Sequence, residues 1–161
     1  MNLKNQVECA LHCCAVLMAV PEGATLPAKV LAEFHGVPKE YLSKALQSLS
    51  QHGIVTGTLG PSGGYRLAKA PADISFLDIV EAVEGRRSTF QCGEIRANNP
   101  CLPKRHKAGG PCTVARIMWT ADEAWRDSLR GVTLADLARQ LAADVPAEIL
   151  EKSAAWLARR S

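Results

Sequence analysis

The chain has 161 residues, of which 47% are hydrophobic and 22% charged, with a net charge of +3. That composition suits one globular domain with a helical appendage, and it excludes disordered, collagen-like and disulfide-stapled miniature folds. A slight positive charge permits a nucleic-acid partner without requiring one.

The apolar periodicity of Val7, Ala10/Leu11, Cys14 and Leu17/Met18 predicts a first helix over 4–20. Glu8 and His12 interrupt the apolar run, so it reads neither as a secretory leader nor as a membrane span. A cytoplasmic protein with reduced thiols and no membrane association is expected. Glu8 and His12 are one turn apart and project along one edge of the helix. They form either an exposed polar pair or two ligands presented together. Cys9, Cys13 and Cys14 lie on the same helix, where its pitch spreads them around the surface; they are not expected to be ligands.

Pro21 and Gly23 end that helix. A short helix follows over 27–35, capped by Gly36, and then a third over 38–51, capped by Gly53. In the third, Leu42, Ala45, Leu46 and Leu49 face inward. Lys39, Glu40, Ser43, Lys44, Gln47 and Ser48 make its outer face. Two short helices with a glycine turn give a helix-turn-helix outline, and the alternative is an ordinary helical hairpin. Ile54-Val55-Thr56 and Tyr65-Arg66-Leu67 then read as strands around the turn 59–64, which forms a wing. Its glycine-rich tip would approach a phosphate backbone closely.

A further helix is predicted from Ile74 to Glu84, stopped by Gly85. A loop follows, carrying Cys92, Cys101 and Cys112 at the spacing C-x8-C-x10-C. In a reducing compartment these thiols point to a metal or redox site rather than a disulfide framework. The loop is basic, with Arg86, Arg87, Arg96, Lys104, Arg105 and Lys107 set against Glu94. His106 is read as solvent-exposed. From Thr113 to Leu129 a long helix places Val114, Ile117/Met118, Ala121, Ala124/Trp125 and Leu129 on one face, which needs a partner. A symmetric dimer would supply it. Thr133 caps a helix over 134–141, and 146–159 makes a last helix with Ile149, Leu150, Ala154, Trp156 and Leu157 partly buried.

The fold expected is mainly α with a small β-wing. Residues 1–85 form a winged helix-turn-helix domain suited to DNA binding, 86–112 a cysteine loop of metal or redox character, and 113–161 a dimerisation helix with C-terminal helices. Specific motifs support this order. They are Tyr41-Leu42-Ser43-Lys44-Ala45-Leu46, His52-Gly53-Ile54-Val55, Gly63-Gly64-Tyr65-Arg66-Leu67-Ala68, the run Ile74 to Gly85, and Cys112 with Ala115-Arg116 and Trp119. Together they resemble the IscR/NsrR-type (Rrf-two) transcriptional regulators over residues 1–141.

The resemblance implies a homodimer that binds a double-stranded DNA operator. In many members the loop cysteines bind an iron–sulfur cluster, with a further ligand from the partner's first helix. The expected [2Fe–2S] cluster uses Cys92 and Cys112 of one subunit with Glu8 and His12 of the other. The second ligand set is Cys92, Cys101 and Cys112 with Glu8 or His12. The cysteine spacing is wider than the family's compact arrangement, and Leu59 stands where many relatives carry a wing arginine. For DNA contact the residues singled out are Lys39, Tyr41, Ser43, Lys44 and Gln47 on the helix and Ser62, Gly63 and Gly64 in the wing. Such a regulator would sense redox state, nitric oxide or iron–sulfur status. The competing readings are a clusterless or zinc-binding thiol regulator and a thiol redox enzyme, although the enzyme would want a C-x-x-C motif that is absent.

Overall fold

A computed structural model of the chain describes residues 3, 5–21, 23–58, 60, 63–102 and 109–161. The helices are α1 (Asn5–Leu17), α2 (Ala28–His35), α3 (Lys39–Gln51), α4 (Phe76–Glu84), α5 (Thr113–Arg130), α6 (Leu134–Asp144) and α7 (Ala147–Ala158). Strands β1 (Val55–Gly57) and β2 (Tyr65–Leu67) pair antiparallel, with Val55 opposite Leu67 and Gly57 opposite Tyr65. None of the described helices is long and apolar enough to cross a membrane.

The core forms around α1. Ala10, Cys13, Cys14 and Leu17 meet Leu42, Leu46 and Leu49 of α3, Ile79 of α4, Leu134 of α6 and Leu157 of α7. Surrounded this way, α1 hides most of its circumference. Cys9, Cys13 and Cys14 are therefore all buried rather than spread over the surface. Burial pushes the Cys14 thiol up to about 12, so its sulfur behaves as a small apolar group.

Helix ends follow local chemistry. Gly36 ends α2 in the left-handed conformation at φ 64°. Ser75 and Asp78 form a capping box on α4, and Thr133 and Asp136 form another on α6. Ser48, expected on the outer face of α3, instead donates its hydroxyl to the Ala82 carbonyl at 2.7 Å and ties α3 to α4.

The wing has a third participant. Leu26 exchanges both backbone hydrogen bonds with Tyr65, at 2.8 and 2.9 Å. Gly64 sits so close to this bridge that an added Cβ would stand 2.5 Å from the Leu26 carbonyl carbon.

Helix α5 is turned inside out relative to an ordinary surface helix. Its inward contacts are Ala115, Asp122 and Arg126, while Val114, Ile117, Met118 and Trp119 are exposed, Ile117 at 64%. Helix α7 folds back on the head. Leu157 is buried, and the Trp156 ring lies 5.6 Å from Phe34 of α2. Ile149 and Ala154, expected to be partly covered, are exposed because α7 makes its contact through its last turns.

Candidate metal centre and DNA-reading face

The loop between α4 and α5 brings two of its three cysteines together. The sulfurs of Cys92 and Cys112 and a carboxylate oxygen of Glu94 all lie within 4.8 Å of one another. Cys101 is outside this group; it is exposed, with its backbone N–H held by the Asn99 side chain at 2.9 Å. The convergence has an identifiable brace. Arg96 donates through Nε to Glu94 at 2.9 Å and through Nη2 to the Gly110 carbonyl at 2.5 Å. Glu94 stands two residues after Cys92 and Gly110 two before Cys112, so one guanidinium closes the loop at its two thiols. Arg96 is therefore a structural clamp rather than a solvated loop charge. Trp119 of α5 adds a second tie, donating Nε1 to the Phe90 carbonyl at 3.3 Å.

The two thiols are not equivalent. Cys112 is the N-cap residue of α5, although its sulfur makes no formal capping hydrogen bond. The Ala115 N–H, helped by the Val114 N–H and the Arg96 charge, holds its pKa below the usual thiol value. At Cys92 the Glu94 backbone N–H acts in the same sense. Desolvation and the Glu94 carboxylate outweigh it, and the thiol is raised. Its Sγ donates to Glu94 Oε1 at 3.4 Å.

Glu8 and His12 are both exposed on α1 and border an apolar groove of about 450 Å³ walled by Leu3, Leu11, Phe76, Leu137 and Leu141. Neither joins the Cys92–Cys112 group within one protomer. His12 stacks edge-on against His35 of α2, with ring centroids 5.8 Å apart. His35 Nε2 is buried without a hydrogen-bond partner among the described residues. Burial, and then the neighbouring His12, lowers the His35 pKa.

The face opposite the core presents a cleft of about 650 Å³ between α2, α3 and the wing. Lys39, Gln47, Gly63 and Gly64 line it, together with Lys29, Ser50, Gln51 and Thr58, which sequence reasoning did not single out. Lys44 is exposed on the same helix but does not line the cleft. Ser43 is committed to the Lys39 carbonyl at 2.8 Å. Tyr41 turns toward α1 and packs half-buried on the core; its pKa is raised by desolvation and then by Cys9 and Glu8. Gly64 is buried, and its N–H donates to Thr58 Oγ1 at 3.2 Å. Its glycine identity thus serves the Leu26 bridge, while its backbone stays at the cleft. Ser62, Leu59, Lys104, Arg105, His106 and Lys107 lie outside the described residues.

A family model described as Rrf2, iron-dependent transcriptional regulator, matches residues 3–140. The chain belongs to the Rrf2 family. Protein rrf2 of Nitratidesulfovibrio vulgaris is 36% identical over 111 residues, covering 69% of each chain. The HTH-type transcriptional regulator NsrR of Geobacillus kaustophilus is 31% identical over 137 residues, covering 85% of this chain and 89% of that one. The fold is shared with T. potens IscR, at a TM-score of 0.67 and 20% identity, with coverage of 94% and 96%. It is shared also with CymR, the global cysteine regulator of B. subtilis, at a TM-score of 0.65 and 21% identity, with coverage of 87% and 98%.

This Rrf2 protein is accordingly a winged-helix, DNA-binding transcriptional regulator and not an enzyme. Within its loop the residue that sequence reasoning missed is Glu94. By composition it is only a lone acid among basic residues. The signal available was its spacing, two residues beyond Cys92 and two before Arg96.

Proposed function

We propose that this regulator is a homodimer that reads redox state, nitric oxide or iron–sulfur status through a [2Fe–2S] cluster. Cys92 and Cys112 of one protomer would hold the cluster with Glu8 and His12 of the partner subunit. The observation that carries this reading is the pairing of Cys92 with Cys112, with Cys101 standing apart from them. Two thiols leave two positions to fill, and the exposed Glu8 and His12 offer a carboxylate and an imidazole one turn apart. The donor set suits iron, which prefers thiolate but accepts imidazole.

The outward apolar face of α5 supports the dimer, because burying each large side chain there against a second copy contributes about 1.5–3 kcal/mol. When bound, the cluster supplies a reversible one-electron change, at a potential raised by non-thiolate ligation. The protein's own part is mechanical. His12 touches His35 on α2, and α2 borders the DNA cleft, so the position of α1 in one subunit is felt at its own DNA-reading head. Arg96 and the α5 N-terminus hold the thiols and oppose their negative charge.

Anaerobic purification with absorption spectra before and after dithionite tests the reading. Cys101→Ala should keep the visible absorption and His12→Ala should lose it. The reverse pattern would replace this ligand set with the three-cysteine one.

A further inference from the structure

Glu94 has no role in the cluster reading, yet it is the third donor already in place beside both thiols. Its Oε1 receives the Cys92 Sγ–H at 3.4 Å, and the three donor atoms fall within 4.8 Å. Its backbone is also unusual. Among the described residues Glu94 is the one non-glycine residue at positive φ, 49°, a conformation that costs free energy and persists where surroundings enforce it. The Glu94 side chain is held in place by Arg96 Nε at 2.9 Å.

We propose that Cys92, Glu94 and Cys112 form, within a single protomer, a site for one borderline divalent cation of the zinc type. The thiol pair would then have two alternative metal states: a cluster shared across the dimer, or a single ion held in one subunit. Two sulfurs on one tetrahedral zinc stand roughly 3.8 Å apart, given a Zn–S bond of about 2.3 Å. The sulfurs lie within 4.8 Å, so a shift of no more than about 1 Å in an exposed loop reaches that geometry. Two thiolates exclude magnesium and calcium, which take oxygen ligands, and zinc accepts sulfur and carboxylate oxygen together. Binding replaces the thiol protons, including the one Cys92 now gives to Glu94, and releases them to solvent. Two thiolates and a carboxylate leave one excess negative charge on a divalent ion, and the Arg96 guanidinium 2.9 Å from Glu94 offsets it. The fourth position opens to solvent, because the three donors are exposed or half-buried. This site uses no residue of the partner and does not rest on the cluster reading.

The test is an anaerobic titration of the full-length, metal-free protein with Co2+, followed by displacement with Zn2+ against a chromogenic chelator. The wild type should take one Co2+ per protomer with a thiolate-to-cobalt charge-transfer band, and Zn2+ should displace it. Glu94→Gln should weaken binding by about tenfold or more, while the reconstituted cluster of that variant keeps its colour. The Glu8→Ala/His12→Ala protein should bind Co2+ as tightly as wild type. Unchanged affinity in Glu94→Gln overturns the proposal. So does loss of Co2+ binding in the double variant, which would put the ion across the interface, and so does a Glu94→Gln protein that loses both ion and cluster. A wild type that never becomes coloured on reconstitution but still binds one Co2+ tightly would sink the cluster reading and support this one.

Discussion

Arg126 of α5 donates Nη1 to the Glu81 carboxylate of α4 at 2.7 Å, and this bond ties the DNA-binding head to the long helix. Both side chains are mostly buried, at 12% and 16% exposure. The same guanidinium reaches Asp122 at 3.2 Å and the Arg87 carbonyl at 2.6 Å, so it also fixes the first residues of the cysteine loop. Removing it leaves the buried Asp122 without its cation, and leaves Glu81 with only the exposed Arg86 at 2.8 Å. Arg126→Ala should destabilise the fold by about 2–3 kcal/mol, read as a lower urea midpoint. It should also loosen the loop, read as faster proteolysis after Arg87. A variant of wild-type stability would mean that water replaces the network.

Asp122 gives that network a pH signature. Desolvation alone would raise its pKa, but the Thr89 hydroxyl at 2.8 Å and then Arg126 outweigh it, and the net direction is down. A carboxyl lowered in the folded state stabilises fully above its unfolded pKa, and the contribution is lost as pH falls through the folded value. Asp122→Asn should therefore be less stable than wild type near neutrality. The gap should close as pH drops below the ordinary aspartate range, about 4. A gap independent of pH in paired urea titrations would remove Asp122 from the acid response.

Gly64 is a packing position. A methyl group there meets the Leu26 carbonyl carbon at 2.5 Å and its oxygen at 2.7 Å, both backbone atoms that cannot swing aside. Gly64→Ala should cost about 1–3 kcal/mol and should weaken DNA binding by displacing the wing. Gly57→Ala, whose methyl meets only the Tyr65 ring at 3.1 Å, a side chain that can give way, should be milder. Equal melting temperatures for the two variants would show that the wing does not need the Leu26 bridge.

The head was largely legible in the sequence because its elements obey local rules. Leu42, Ala45, Leu46 and Leu49 repeat at helical spacing, and Gly36, Gly53 and Gly85 stop helices where they stand. The pairing of Leu26 with Tyr65 was not legible, since Leu26 sits in a short irregular stretch and the partner is far along the chain. Tyr41 illustrates a second limit. Periodicity puts it near the polar face of α3, but the proximity of α1 turns its ring onto the core. At the cysteine loop the expected ligand set already paired Cys92 with Cys112, but the sequence did not show what would brace the loop there. That brace includes Arg96 reaching Gly110, a contact 14 residues apart with no periodic pattern to announce it.

The exposed face of α5 makes a prediction about assembly. Val114, Ile117 and Met118 are 60%, 64% and 40% exposed, although the opposite side of the helix carries buried Asp122. Such an arrangement is stable in water when a second copy covers it. Ile117→Glu should convert a dimer into a monomer in sedimentation experiments and leave the helical circular dichroism unchanged. Because the proposed cluster ligands come from both subunits, the same variant should fail to assemble the cluster. A dimeric Ile117→Glu protein would place the interface on another surface.

The inequality of the two loop thiols is open to direct measurement in the metal-free protein. Cys112 is lowered chiefly by the Ala115 N–H at the start of α5, whereas Cys92 is raised by desolvation and by the carboxylate of Glu94. The thiolate is the reactive form, so iodoacetamide at neutral pH should label Cys112 before Cys92. Cys13 and Cys14 should stay unlabelled until the fold opens, since both are fully buried and both are raised by their surroundings. Glu94→Gln removes the charge that holds the Cys92 proton. It should speed labelling of Cys92 and bring the two rates closer, with little change in Tm because Glu94 is exposed. Peptide mapping over a short time course decides the order. Faster labelling at Cys92 in the wild type would mean that Arg96, rather than the α5 N-terminus, dominates the field at this pair.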